Sequence, residues 1–374
     1  MNNRRHLKSN FDYDVIIVGC GPAGSITARY LLAKDNGLRV LILEQKKQIG
    51  VPVQCGEGIL GFLAGHEVSP STYDKKGLFE CPDYVKAHRI DNLHFISSTN
   101  KTISIPVYGH TLHRDLFDQY LAQRAIEQGV EIKNSTRFLS FKDRNTIVTT
   151  KGDFSAKIIV GADGPNSSVA ALRALPACKP LAMCVLAHVK GDFNDHTMKL
   201  FYSKKFFMGY GWVFSKGDHA NVGFGTEFYD GVRKKNLTMR KILYDFIIDK
   251  LSATKDDIIF SSGGVVPTGG LLSHFVNDNV VLVGDAAGMV HPSTGAGIDS
   301  AMVGARECGI AIQRHLLYGE DLLNYENKGR MLFHSGYLKA LRLKKAIQLL
   351  TTTNFTLDVA FRVVNGIGIT KFLM

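Results

Sequence analysis

Gly19-Cys20-Gly21-Pro22-Ala23-Gly24 follows the apolar run Tyr13-Asp14-Val15-Ile16-Ile17-Val18 and leads into a helical pattern. Glycines at this spacing can hold a diphosphate. Gly19 permits a tight turn, Gly21 lets phosphates approach the backbone, and Gly24 lets the helix pack closely on the strand, with Ala23 in the same phosphate-facing turn. The helix N-terminus adds N–H donors and positive potential. Glu44 ends a second apolar run about 20 residues on, where a carboxylate can accept hydrogen bonds from ribose hydroxyls. This is dinucleotide-binding chemistry, and Cys20 reads as a small residue that fits the turn.

Two later segments narrow the dinucleotide. Gly161-Ala162-Asp163-Gly164 and Val283-Gly284-Asp285-Ala286-Ala287-Gly288 each follow an apolar run. Asp163 and Asp285 become cofactor candidates, with Asp285 able to accept from the ribityl hydroxyls of a flavin. Pro292-Ser293-Thr294-Gly295-Ala296-Gly297-Ile298 then opens a long helical pattern. Gly295, Gly297 and Ile298 can aim N–H groups at the N1–C2=O edge of a flavin, where negative charge collects on reduction. The expected cofactor is FAD.

These motifs need strands that end at the turns and helices that begin there. Residues 13–18 and 39–43 read as buried parallel strands around a helix over 25–34. A helix is predicted over 113–129, a strand pair over 130–150, and a strand at 157–160. Short alternating strands fill 84–107, and antiparallel strands fill 181–226 with turns near Asn194-Asp195 and Lys216-Gly217-Asp218. Further elements are a helix over 238–251, strands at 258–266 and 280–283, and a long helix over 295–316. The expected fold class is α/β: a Rossmann-like FAD-binding domain (11–83, 108–175, 267–320) interleaved with an antiparallel-sheet substrate domain (84–107, 176–266). A helical C-terminal region covers 321–374.

The 374 residues are 45% hydrophobic and 21% charged, the balance of a folded chain. No apolar run reaches the roughly 18 residues of a membrane span, and the first ten residues lack the apolar stretch of a secretory leader. Structure is expected to begin near Phe11. None of the six cysteines forms a C-x-x-C pair. That argues against a zinc ribbon, an iron–sulfur cluster or a disulfide scaffold, so no metal is expected and a reducing cytoplasm fits. The net charge of +11 comes with no nucleic-acid module signature. From Met331 onward, Lys339, Arg342, Lys344, Lys345, Arg362 and Lys371 face only Asp358 in an apolar-rich segment. That pattern suits an anionic membrane surface on its inner, cytoplasmic face.

The three cofactor segments, in this order, resemble the FAD-dependent hydroxylase-like superfamily over the chain to about Leu316. The resemblance implies that Arg114, in His113-Arg114-Asp115-Leu116-Phe117-Asp118, lies near the FAD phosphates. It also implies a backbone contact from Phe138 to the adenine. Pro52-Val53-Gln54-Cys55-Gly56-Glu57-Gly58 is similar to the P-V-x-C-x-x-G loop of geranylgeranyl reductases, including the archaeal digeranylgeranylglycerophospholipid reductases. Gly209-Tyr210-Gly211-Trp212-Val213-Phe214 is similar to the Y-x-W-x-F-P element of that family, with Ser215 where the family usually has Pro. Cys55, Gly56 and Gly58 are then expected against the flavin ring, and Cys55, Tyr210 and Trp212 are the catalytic candidates. Alternation puts Tyr210, Trp212 and Phe214 on one strand face, where they would line a channel for an isoprenoid lipid. His291 is a further polar group near the flavin, or a structural one.

The activity so implied is reduction of C=C bonds in a geranylgeranyl chain, by hydride from flavin N5 and a proton. The electron donor would be NAD(P)H or a ferredoxin. Competing readings are an FAD-dependent monooxygenase or halogenase of an aromatic compound, a menaquinone side-chain reductase, and a prenyl-binding carrier. The halogenase motif G-x-W-x-x-I-P is absent.

Overall fold

The computed structural model describes residues 11–33, 37–61, 78, 81–235 and 237–367. The polar N-terminal stretch, Lys34 at the end of the expected first helix, and Lys371 lie outside the described residues.

The chain opens with β1 (Tyr13–Val18), α1 (Pro22–Leu31) and β2 (Val40–Leu43). Val15, Ile16, Ile17, Leu41 and Ile42 are fully buried. Both faces of these strands are covered, which is why they read as continuous apolar runs. Next come β3 (Gly58–Gly61), β4 (Lys86–Ile96) and β5 (Thr102–Leu112). They are followed by α2 (Arg114–Ile126), β6 (Glu131–Lys133), β7 (Phe138–Phe141), β8 (Thr146–Thr149), β9 (Gly152–Gly161) and the short α3 (Ser168–Leu172). The middle of the chain supplies β10 (Leu181–Phe193), β11 (Thr197–Phe201), β12 (Tyr210–Ser215), β13 (Gly217–Thr226), α4 (Tyr229–Lys234), α5 (Met239–Leu251) and β14 (Ile258–Pro267). The last part holds β15 (Val276–Asn277), β16 (Val280–Leu282), α6 (Ile298–Tyr318), α7 (Leu323–Leu350) and α8 (Asn354–Ile367).

Two sheets result. The first runs β15-β16-β9-β1-β2-β6, with β7 and β8 attached to β9. β1 pairs in parallel with β2 and β9, and β9 pairs in parallel with β16. Val18 lies opposite both Leu43 and Gly161, and Gly161 lies opposite Leu282. The three sequence motifs therefore leave the sheet at one carboxyl edge, where open parallel sheets bind their ligands.

The second sheet runs β14-β10-β13-β12-β11-β4-β5-β3. Two expectations change here. β11 joins β4 in parallel, not antiparallel: the chain crosses through the first sheet between them, and a long crossover permits parallel pairing. β3, inside the 11–83 segment assigned to the FAD domain, pairs with β5, and β5 runs past residue 107 to Leu112. Strand pairing in the second sheet therefore crosses the expected limits at 83 and 108.

The faces of the second sheet have different covers. Ala187, Val213, Val222 and Phe224 pack under Leu243 and Phe246 of α5. On the opposite face Trp212, Leu186, Met198 and Leu200 pack with Leu357 and Phe361 of α8. The last helix thus packs on this side of the sheet, meeting it at β5.

Candidate active site

At the Gly-rich turn, each glycine does a distinct job. A Cβ on Gly19 would come 2.3 Å from the Ala162 carbonyl oxygen, so its absence lets two motifs touch. A Cβ on Gly24 would lie 2.0 Å from the Gly19 oxygen. Gly21 faces open space, with nothing within 4 Å of a Cβ there. Ala23 packs against Gly284, where an added Cβ would approach it to 2.7 Å. Glu44 clasps the turn: its carboxylate accepts from the Cys20 N–H at 3.0 Å and the Lys46 N–H at 2.8 Å. Burial pushes the Cys20 thiol up to about 12, so it stays an inert filler.

Arg114 opens α2 and forms a two-bond pair with Asp118, Nε to Oδ1 at 3.0 Å and Nη2 to Oδ2 at 3.2 Å. Burial alone would lower its pKa, but the charges of Asp118 and Glu57 outweigh that and raise it. The guanidinium remains a cation, paired to Asp118 and near enough to Asp285 to oppose the rise of its pKa. Asp163 is bonded within its own turn. Its carboxylate accepts from the Ser167 hydroxyl at 2.6 Å and from the Ser168 and Val169 N–H groups at 2.7 and 3.2 Å, capping α3. Both oxygens are engaged within the protein. Phe138 is a core aromatic set edge-on to Phe141 at 5.2 Å, and its backbone pairs opposite Thr149 in β8.

Asp285 follows β16. It is only half shielded from water yet densely surrounded by protein, so desolvation pushes its pKa up to about 6 against the opposing charge of Arg114. A Cβ on Gly297 would stand 3.6 Å from Asp285 Oδ1. The missing side chain brings the start of α6, at Ile298, close to that carboxylate. Gly295 has φ +71°, a left-handed conformation suited to glycine, and a Cβ on it would lie 3.5 Å from the Tyr210 hydroxyl. His291 is absorbed locally: Nδ1 meets Thr294 Oγ1 at 3.0 Å, and its carbonyl accepts from Gly295 N–H.

The Cys55 segment lies across the aromatic face. Gln54 donates to the Gly263 carbonyl at 2.7 Å, and Ser262 donates to the Val53 carbonyl, so β14 holds one side. A Cβ on Gly56 would meet the Phe214 ring at 3.0 Å and Trp212 Nε1 at 3.7 Å, and one on Gly58 would meet Met198 at 2.3 Å. These glycines permit contact with the aromatics. The Cys55 thiol accepts from the Glu57 N–H at 3.2 Å.

Tyr210, Trp212 and Phe214 share a face, with Trp212 centred about 6 Å from each. Tyr210 and Trp212 face glycines on the neighbouring strand, pairing with Gly225 and Gly223. Their polar hydrogens are committed. Trp212 Nε1 donates to Asn221 Oδ1 at 2.9 Å, and the Tyr210 hydroxyl donates to the Thr294 carbonyl. Burial raises the Tyr210 pKa. In this arrangement both polar hydrogens are held by protein acceptors. Trp212 is 6% exposed and belongs to the core beneath the half-buried Tyr210 and Phe214. Ser215 is fully buried, donates to Asp195, and accepts from Thr111 through its carbonyl at 2.8 Å.

Sequence reasoning missed a buried polar cluster. Glu57 Oε2 receives His188 Nε2 at 2.7 Å, Lys216 Nζ at 2.8 Å and Asn221 Nδ2 at 2.9 Å. Lys216 stands in what reads as a solvent turn, yet its side chain is 1% exposed. The one available signal was Glu57 itself, a charge inside the Cys55 loop.

An edge of parallel strands carrying a glycine turn open at Gly21, a ribose-side carboxylate, and a second carboxylate beside a helix start fits the diphosphate, ribose and ribityl chain of FAD. The fold and site define an FAD-dependent oxidoreductase. Among the described residues no cluster of potential metal ligands occurs. The chain belongs to the lycopene cyclase protein family, whose model matches residues 14–328, and to the digeranylgeranylglycerophospholipid reductase family. It is 33% identical to digeranylgeranylglycerophospholipid reductase 3 of Methanosphaera stadtmanae, over 84% of this chain and 81% of that one. Among solved structures, a geranylgeranyl bacteriochlorophyll reductase-like protein from Thermoplasma acidophilum superposes with a TM-score of 0.83 at 24% identity, covering 94% of this chain and 91% of that one. The flavin-dependent brominase Bmp2 superposes with 0.72 at 20% identity, over 95% and 93% of the chains. At these identities both structures show a common fold.

Proposed function

We propose that this protein reduces C=C bonds in geranylgeranyl chains of a membrane lipid or prenyl diphosphate. The observation that carries the reading is the seating of the Cys55–Gly58 segment on Tyr210, Trp212 and Phe214, next to Gly295 and the start of α6. That arrangement sets an apolar wall beside the place where the flavin ring would lie. FAD, when bound and reduced, supplies the hydride from N5, and a proton completes the second carbon. Gly21, Glu44, Arg114, Asp285, Gly297 and Ile298 hold the cofactor in this reading. Cys55, Gly56 and Gly58 line its ring, and the Phe138 backbone and the turn after Asp163 flank it. Tyr210, Trp212 and Phe214 shape the prenyl site, where each buried CH2 contributes about 0.8 kcal/mol. An isolated alkene accepts hydride poorly, so the site must hold it in one geometry.

The same reading places the protein at an anionic membrane surface on its cytoplasmic side. No helix among the described residues is long and apolar enough to cross a membrane. Leu338, Leu349, Phe355 and Val359 are exposed on α7 and α8, next to exposed Lys339, Arg342, Lys345 and Arg362. Lys344 is not part of this surface, because it donates to Glu227 at 2.6 Å. NAD(P)H or a ferredoxin is the electron donor in this scheme.

Mass spectrometry of lipids from a geranylgeranyl-lipid-producing host, with and without this gene, tests the reading. Two added hydrogens per reduced double bond are expected. Unchanged lipids in cells holding FAD-loaded protein, together with failure of the dithionite-reduced enzyme on geranylgeranyl lipids, would sink it. Oxygen consumption stimulated only by an aromatic compound would indicate a monooxygenase instead.

A further inference from the structure

The most deeply buried ion pair among the described residues is Glu57–Lys216, each side chain 1% exposed. Such a pair is costly to bury and contributes little net stability. Glu57 also holds φ +67°, a left-handed backbone conformation that costs a non-glycine residue on the order of 1 kcal/mol. Two costs at one residue call for an explanation in what the residue holds in place.

Glu57 is bonded in every direction. Its carbonyl accepts from Leu112 N–H at 2.8 Å, Oε1 accepts from Arg114 N–H at 3.2 Å, and its own N–H donates to Cys55 Sγ at 3.2 Å. Oε2 takes three donors, from Lys216, His188 and Asn221. With Lys216 already balancing the carboxylate charge, His188 donates from Nε2 as a neutral ring, and burial lowers its pKa. Asn221 extends the cluster both ways. Its Nδ2 also donates to the Cys55 carbonyl at 2.8 Å, and its Oδ1 accepts from Trp212 Nε1 at 2.9 Å. One amide therefore fixes the distance between the Cys55 backbone and the indole.

We propose that Glu57 and Asn221, backed by Lys216 and His188, are positioning residues that lock the Cys55 segment onto Trp212, so that flavin and prenyl double bond meet in a single geometry. The proposal rests on the prenyl-reductase reading for its substrate. The positioning itself concerns this chain's own residues.

The test uses FAD-loaded enzyme and two variants. Asn221→Leu cuts the link between Cys55 and Trp212 while leaving the ion pair in place. Glu57→Gln/Lys216→Met removes both buried charges together, which folded proteins tolerate better than loss of one. Labelling of Cys55 by iodoacetamide is followed at the peptide level, and turnover is measured on a geranylgeranyl lipid with dithionite as reductant. The expected result is Cys55 labelling faster by about tenfold, and kcat lower by about tenfold or more with KM within roughly twofold. Unchanged labelling in both folded, FAD-loaded variants would overturn the proposal, as would faster labelling with unchanged kcat. If even the wild type reduces no prenyl lipid, the substrate reading fails. Cys55 labelling then still decides whether the cluster holds the segment.

Discussion

Gly223 lies directly across the strand pair from Trp212, and a Cβ on it would come within 2.2 Å of the indole. The large ring exists at that place because the neighbouring strand leaves a gap for it. Gly223→Ala is expected to displace the indole and cost about 1–3 kcal/mol of stability. Trp212 is the only tryptophan in the chain, so its fluorescence spectrum, read beside urea unfolding, reports the displacement directly. An unchanged spectrum and midpoint would contradict the packing described.

The glycine turn separates folding from binding. Gly21→Val should leave the stability of the apoprotein within about 1 kcal/mol, because the new side chain meets open space, while lowering FAD affinity by at least roughly tenfold. Gly24→Ala should do the reverse first, destabilising the apoprotein through its clash with the Gly19 carbonyl. Thermal melts with and without FAD distinguish the two.

Asp285 gives FAD binding a pH dependence. Its pKa stands at about 6 without cofactor, raised above the ordinary 3.8. Hydroxyl donors of the ribityl chain favour the carboxylate, so affinity should hold above about pH 6 and decline below it. Asp285→Asn should flatten that profile and lower affinity above pH 6 by about tenfold or more. Fluorescence titration of apoprotein with FAD across pH 5–8 is the measurement.

Glu57 gives stability a pH dependence of opposite origin. Burial would raise its pKa, but the His188 hydrogen bond and the Lys216 charge bring it down from 4.5 to about 2. A depressed folded pKa contributes stability above the unfolded value, and that stability is lost as pH falls from about 4.5 through 2. The roughly 3 kcal/mol at stake is the advantage of ionised over protonated Glu57 in the fold, not the net worth of burying the pair. Urea unfolding between pH 5 and 3 should therefore show a steeper loss in wild type than in Glu57→Gln/Lys216→Met. Parallel slopes would contradict the ion pair.

Membrane attachment should depend on the exposed C-terminal cations and apolar tips, not on Lys344. Arg342→Gln/Lys345→Gln is expected to weaken binding to anionic vesicles in flotation assays by on the order of 2 kcal/mol, about 1 kcal/mol for each cation removed. Phe355→Ser should weaken attachment even at high salt. Lys344→Ala should leave vesicle binding in place and instead loosen α7 from Glu227 and the Thr268 carbonyl.

The sequence by itself determined the sheet edge at which the glycine motifs gather. Gly19 to Gly24, Glu44, Asp285 and Gly295 to Ile298 sit in short contiguous motifs whose apolar flanks become parallel strands, so local spacing carried the geometry. It determined the shared face of Tyr210, Trp212 and Phe214 as well, because strand alternation is a local rule. Tertiary structure alone decided what those groups touch. Asp163 spends its carboxylate on a helix start, and Tyr210 and Trp212 spend their hydrogens on Thr294 and Asn221. Lys216, beside a glycine in a hairpin turn, reads as a solvated charge, yet it is buried. A charge can leave water only where a counterion waits, and Glu57 arrives from 159 residues away. No local pattern encodes that encounter: it exists only once the strand pairing of the second sheet brings the Cys55 loop over β10 and β13.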